Sequence, residues 1–370
     1  MRIALFAATP FQVFNCINIF LNLHKSEQAD LFVLTFAVDM SEICKRLKDT
    51  KIFDNIFVLD KIDQMPGKKG VLKDFIFTDC QNKQMLMKYK YDIMYTTFIG
   101  DRNNLYYNIL YRGNKNIKLY FYDEGIGVYT QGFYKSSNLM KKFYKLMRYK
   151  YSNDYFEGVY VYSPECVSVD LGVPIKEIPY IDKQDSEIVN KVNAVFGGDK
   201  SIYEKYEMYK VIYLDQDFGR YLSKEEEEKR YRFSHINFLY IICDKIKKES
   251  VLVKQHPIRK DNIYSEHGFN VEPRLDLPWE IIQMNADFTR KLLVGISSTA
   301  LLTPKLIYDE EPYVIVLGKM IANEKLSDYV WTENIENLFK KVKEKYRNKE
   351  KFLIPNNINE LQKYIQRLGV

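Results

Sequence analysis

The sequence predicts an α/β protein of two Rossmann-like domains facing across a cleft. Short apolar runs alternate with longer amphipathic stretches, which is the βαβ rhythm of a parallel sheet covered by helices. That rhythm pauses in a polar stretch, 182–200, and then starts again. The chain has 370 residues, too many for one ordinary core and well suited to two domains. The expected domains are 1–185 and 200–370, of similar size.

In the first half, strands are predicted at Ile3–Ala7, Leu31–Phe36, Ile56–Leu59, Ile93–Thr97, Ile117–Tyr122 and Val159–Tyr162, with helices at Phe11–Leu23 and Met40–Leu47. The opening "MRIALFAATPFQVF" has an apolar start that Pro10 and Gln12 interrupt. It reads as a first strand rather than a secretory signal. The polar stretch ends in "AVFGGDK". Beyond it come strands at Val211–Leu214, Val251–Lys254, Lys291–Ile296 and Tyr313–Leu317. A helix is expected over Lys224–Lys247, and two more close the chain at Asn334–Tyr346 and Ile358–Leu368.

Composition narrows the class. Hydrophobic residues at 46% and charged residues at 28% are the balance of a soluble globular protein. No run approaches the roughly 20 apolar residues of a membrane span. The five cysteines are odd in number and form no CxxC or Cys/His cluster, which argues against a disulfide framework or zinc site and for a reducing cytosol. A net charge of +6 allows anionic ligands without implying nucleic acid. Thirty tyrosines suit a sugar-binding surface, and they equally fill ordinary cores.

Polar motifs stand just after five of the predicted strands, where open α/β sheets bind their ligands. The first is "ATPFQ", ending at Gln12, and the second is "DEG", Asp123–Glu124–Gly125. In the second half "YLDQ" ends at Gln216, "VLVKQHP" at His256–Pro257, and "LLVGISSTA" holds Ser297, Ser298 and Thr299. Each has a plain structural reading beside a chemical one. Asp and Gly end strands because they make turns, whereas a carboxylate on a glycine turn can serve as a general base. His256 is either a strand-end histidine bonded to a carbonyl or a proton shuttle that meets an anion. The serines are either helix caps or hydroxyl and N–H donors for a phosphate; no GxSxG elbow marks a nucleophile. In "DLPWEII", Pro278 and Glu280 suit helix initiation, and Glu280 alternatively accepts hydrogen bonds from a ribose. "DQD", Asp215–Asp217, matches a short metal-binding pattern that arises easily by chance among 49 acids. No Walker loop, GxGxxG or HExxH is present.

The series "DEG", "HP" and "SST", in that order and supported by "TPFQ", "DQ" and "LPWE", resembles the bacterial sialyltransferases of the GT-B fold, most closely glycosyltransferase family 52, the lipooligosaccharide and capsule group. The motifs span nearly the whole chain. The resemblance implies a CMP-sialic acid donor, inversion at the anomeric carbon, a galactoside acceptor on a surface glycan, no metal and no other cofactor. It makes Asp123 the base, with Glu124 orienting the acceptor hydroxyl. It sets His256 on the CMP phosphate with Ser297 and Ser298, and Glu280 on the ribose. Gly125, Gln12, Gln216, Pro257 and Thr299 become residues lining the substrate cleft. Asp217 departs from the pattern, which calls for a less acidic neighbour. The alternative is a GT-B transferase using another nucleotide sugar. A basic stretch over 137–151, "SNLMKKFYKLMRYKY", is either a core-facing helix with a solvated basic side or a peripheral contact with anionic lipid at the inner face of the membrane, where a lipid-linked acceptor would lie.

Overall fold

Both halves of the chain fold around a fully parallel sheet, and the two sheets share the same order over their first six strands. The computed structural model describes residues 1–35, 39–59, 80–97, 102–133, 141–142, 145–146, 150–217, 225–256, 259, 261–274, 277–321 and 330–368. It divides into two units, Met1–Phe196 and Gly197–Val370. In the first, β1 (Arg2–Ala7), β2 (Gln28–Leu34), β3 (Asn55–Leu59), β4 (Ile93–Thr96), β5 (Lys118–Tyr122), β6 (Phe156–Val161) and β7 (Ile175–Glu177) lie in the order β3-β2-β1-β4-β5-β6-β7. The second contains β8 (Val211–Leu214), β9 (Val251–Lys254), β10 (Asn270–Val271), β11 (Leu292–Gly295), β12 (Tyr313–Val316) and β13 (Phe352–Leu353), ordered β10-β9-β8-β11-β12-β13.

Counted within each unit, the first six strands are ordered 3-2-1-4-5-6, that of the dinucleotide-binding doubly wound fold, and the first sheet adds β7 at its edge. Chain direction reverses its march between β1 and β4 and again between β8 and β11. These are the switch points at which such sheets hold ligands beyond their carboxyl ends. The strands are continuous apolar runs because helices cover both faces: Ile3 to Ala7 and Val211 to Leu214 are all buried.

Three edge elements escape the sequence reading, β7, β10 and β13. Two or three residues cannot display a period, and they become strands only by pairing with a longer neighbour. The polar stretch at the expected boundary also proves more ordered than its composition indicates. It contains a helix at Ser186–Phe196 whose Val192, Val195 and Phe196 are buried, capped by the Asp185 carboxylate accepting from the N–H groups of Glu187 and Ile188. Predicted ends at Phe36 and Lys224 lie outside the described residues. No helix among the described residues is long and apolar enough to cross a membrane.

A buried charge ties the amino-terminal edge of the first sheet. Asp30, with no exposed surface, accepts from Arg2 Nε and Nη2 (2.8 Å each), Asn55 Nδ2 (2.7 Å) and the Tyr91 hydroxyl (2.7 Å). This cluster sits at the strand ends opposite the motifs. Asp30→Ala strands a guanidinium and two dipoles, so it is expected to lower unfolding free energy by about 3 kcal/mol, the lower end for a broken buried pair because Arg2 stays partly solvated. Denaturant unfolding measures this; stability equal to the parent would show that the cluster contributes nothing.

Candidate active site

The strand β5 buries Leu119 to Tyr122 and delivers Asp123 at its end. The Asp123 side chain is 2% exposed. Its Oδ1 accepts from the Gly125 N–H at 2.8 Å, and its Oδ2 from the Tyr129 hydroxyl at 2.5 Å and the Tyr162 N–H at 3.4 Å. Burial pushes its pKa up to about 6, although the bonds from Tyr129, Gly125 and Tyr162 favour the anion. The backbone of Asp123 is held as well, its N–H by Tyr160 O (2.8 Å) and its C=O by Asn15 Nδ2 (2.7 Å).

Asn15 belongs to α1 (Pro10–Leu23), the helix after β1. Its Oδ1 accepts from the Tyr162 hydroxyl (2.7 Å), which in turn accepts from Asn18 Nδ2 (3.1 Å). Just before Asp123, at the end of β5, the Tyr122 hydroxyl donates to Phe6 O (2.6 Å). Thus α1, β1, β5 and β6 are joined by buried polar groups around the "DEG" turn. Gln12 serves the same region: its Oε1 accepts from the Ala8 N–H at 2.7 Å and fixes the turn after β1. Thr9 caps α1 by accepting from the Gln12 N–H.

The two glycines after the acids do different work. Gly125 has φ 111° and ψ −156°, a region open essentially to glycine alone. That conformation aims its N–H back at Asp123. Gly127 lies within the short helix α2 (Ile126–Thr130), where an added Cβ would meet only Glu124 Oε1 at 3.9 Å. Glu124 itself is half-buried and lines a pocket of about 220 Å³ with Phe121, Gly127, Val128, Gln131 and Phe133. Of the two acids, Asp123 is enclosed and Glu124 lines this pocket.

In the second unit, β8 and β11 are neighbours across the switch point, and Gln216 after β8 accepts the Ser297 N–H after β11 at 3.0 Å. Ser297 is buried, while Ser298 and Thr299 are half-exposed. Ser298 Oγ accepts from the Ala300 N–H, capping a 3-10 turn at Thr299–Leu301; the α-helix starts only at Thr303, with Pro304 in its first turn. His256 follows β9, half-buried, with its N–H donated to Asp215 Oδ2 at 3.1 Å. Glu280 lies in the first turn of the helix Trp279–Asn285 and is buried; burial pushes its pKa up to about 7, against the pull of its own N–H and of Lys254. Asp217 is half-buried beyond Gln216. Pro257 and Asp276 lie outside the described residues, as does most of 137–151; of that stretch, Lys141 pairs with Asp154 at 2.6 Å.

Within the first unit, then, the "DEG" residues follow β5 inside a polar network that reaches Asn15 of α1, and Gln12, in the first turn of α1, holds the turn after β1. Within the second, Gln216 and Ser297 touch. Sequence reading missed Asn15, Tyr129 and Tyr162, which hold Asp123, and Arg259 and Tyr264, which hold Asp215. An arginine three residues after His256, with Asp261 two residues beyond it, was a usable signal; a tyrosine in a short helix was not.

Among solved structures the chain is similar to the alpha/beta-galactoside alpha-2,3-sialyltransferase of the luminous marine bacterium Photobacterium phosphoreum, with a TM-score of 0.53 at 12% identity over 94% of this chain and 96% of that one. It is also similar to a UDP-N-acetylglucosamine 2-epimerase, with a TM-score of 0.48 at 12% identity over 99% and 93% of the two chains. Comparison with curated proteins finds no match. The two parallel α/β units and the first of these likenesses define a protein of the GT-B fold. Residues 5–316 match the family described as Alpha-2,8-polysialyltransferase (POLYST), and the chain belongs to that family. It is a glycosyltransferase, as its motifs indicate, and the resemblance to bacterial sialyltransferases is borne out.

The turn geometry yields a paired expectation. Gly125→Ala forces a side chain into the glycine-only region and is expected to cost about 1–3 kcal/mol and to displace the Asp123 carboxylate. Gly127→Ala, with only an ordinary contact to meet, leaves stability within about 0.5 kcal/mol or improves it, as glycine-to-alanine changes in helices do. Thermal unfolding of the two variants side by side decides; equal effects would contradict the assignment of separate roles.

Proposed function

We propose that the protein transfers sialic acid from CMP-sialic acid to a surface glycan with inversion at the anomeric carbon. The observation that carries this is the family match over residues 5–316, which spans every motif of the series. Inverting transfer needs a base for the acceptor hydroxyl and stabilisation of the departing phosphate. The first unit supplies the carboxylates. The second supplies His256 with the hydroxyls of Ser297, Ser298 and Thr299 for the CMP phosphate, and the buried Glu280 for the ribose. Gln12 and Gln216 shape the loops beside them. CMP leaves with a single phosphate, so these donors meet its charge without a metal ion, and transfer is expected to survive a chelator.

Asp123 acts as base in this reading. Its raised pKa brings it nearer to the basicity that proton abstraction at neutral pH requires. One specific observation favours a second reading, in which Glu124 is the base and Asp123 holds the turn: Glu124 lines the pocket and Asp123 is enclosed. The acceptor implied by the motif resemblance is a galactoside, and the family's description adds a sialylated end. The enzyme is proposed to work in the cytoplasm, with its basic stretch against anionic lipid where a lipid-linked acceptor would be met.

The test is incubation with CMP-sialic acid and a panel of galactosides and sialosides, reading CMP release and glycan mass. Acceptor-dependent sialylation is expected; transfer from a different nucleotide sugar alone would replace the donor. With Asp123 as base, turnover falls as pH drops through about 6, because protonation removes the acceptor of the proton, and it levels off above. Asp123→Asn then costs about 10²–10⁴-fold in kcat and leaves CMP affinity unchanged. If Glu124→Gln alone causes that loss, while Asp123→Asn retains near-normal turnover, the second reading stands.

A further inference from the structure

We propose that Asp215 is a positioning residue for His256; this rests on the reading above, in which His256 meets the CMP phosphate. Strands β8 and β9 are adjacent and in register, Leu214 beside Lys254, and the Asp215 N–H continues the ladder to Lys254 O at 3.0 Å. The Asp215 carboxylate therefore lies beside the start of the loop after β9. Its Oδ2 accepts the His256 N–H at 3.1 Å, and its Oδ1 accepts Arg259 Nη1 at 3.1 Å and the Tyr264 hydroxyl at 2.6 Å. Arg259 continues the clamp: its Nε and Nη2 each reach the Asp261 carboxylate at 3.1 Å, and its N–H donates to His256 O at 2.9 Å. His256 is thereby gripped at both its N–H and its C=O. On the inner side, His235 Nε2 is 3.7 Å from Asp215 Oδ1, and the Tyr213 hydroxyl bonds His235 Nδ1 at 2.7 Å.

A buried carboxylate is a costly way to end a strand, and it is tolerated only when fully paired. Asp215 is 5% exposed, and both its oxygens are engaged by groups that shape one loop. The first acid of "DQD" is thus committed to the loop bearing His256. Its neighbour Gln216 holds Ser297, so residues 215 and 216 together fix the histidine and the hydroxyl loop. With the His256 backbone held, the imidazole starts from a defined position, and displacement of a catalytic group by about 1 Å can cost on the order of 10²-fold in rate.

The test is a double-mutant cycle between Asp215→Asn and His256→Ala, read as kcat with CMP-sialic acid and acceptor, together with the imidazole NMR signal of His256 in the free protein. An amide presents a donor where His256 or Arg259 also donates, so the grip is lost at near-constant volume. Asp215→Asn is expected to lower kcat about 10–100-fold and to shift the His256 signal, and the double variant is expected to match His256→Ala alone. Tyr264→Phe, which removes one bond to Oδ1, repeats the cycle in smaller measure and carries it if Asp215→Asn fails to fold. Multiplicative losses, or an unmoved His256 signal, would overturn the positioning role. Full turnover in His256→Ala with a shifted His256 signal in Asp215→Asn would instead overturn the reading of His256 and leave the clamp standing.

Discussion

A buried carboxylate at the end of a parallel strand has to find its donors nearby, and Asp123 finds two in the turn and helix that follow it and a third beyond β6. Its oxygens take the N–H of Gly125, the hydroxyl of Tyr129 and the N–H of Tyr162. Removing any partner leaves a desolvated charge, so the turn after β5, the helix that follows it and the end of β6 are mutually fixed. The left-handed backbone at Gly125 follows from that requirement, because its N–H must point back at the acid. Asn15 extends the constraint to α1 by holding the Asp123 carbonyl. The site is in this sense a consequence of how one charge is satisfied.

The second unit repeats the device with different residues. Asp215 ends β8 and is satisfied from the loop after β9. Burial works against the Arg259 charge, yet Asp215, Tyr264 and Asp261 outweigh it and hold the guanidinium pKa above its usual range. The neighbouring His235 goes the other way: burial lowers it to about 4, so it sits neutral between Tyr213 and Asp215. In both units the sheet order sets the switch point, and a buried acid near it orders the loops that carry the proposed chemistry.

Much of this frame was legible in the sequence. Val211–Leu214 and Val251–Lys254 match the observed strands end for end, since a short run of four and of three apolar residues between charged or polar ones leaves little choice of ends. Placement of "DEG", His256 and "SST" just beyond strands was equally readable from where apolar runs stop. The grip of Asp215 on His256 was not, because 41 residues separate them and only the adjacency of β8 and β9 brings them together. Nor could spacing tell that Asp123 is enclosed while Glu124 faces a pocket; adjacent residues at a strand end diverge according to the turn they enter. The hydroxyl loop was expected to open a helix directly, and the chain inserts a 3-10 turn first because helix growth waits for Pro304, whose fixed φ suits a first turn.

Family membership and fold make the chain a glycosyltransferase, and the proposed chemistry assigns its acids and its histidine complementary tasks. Base and leaving-group stabiliser on separate groups fit a single displacement, with no bond between enzyme and sugar. That prediction is read most directly in the product. NMR of the glycan formed from CMP-sialic acid, taken before any further reaction, reports the anomeric configuration of the new linkage. Inverting transfer gives a sialoside of configuration opposite to the donor's; a product of retained configuration would contradict it.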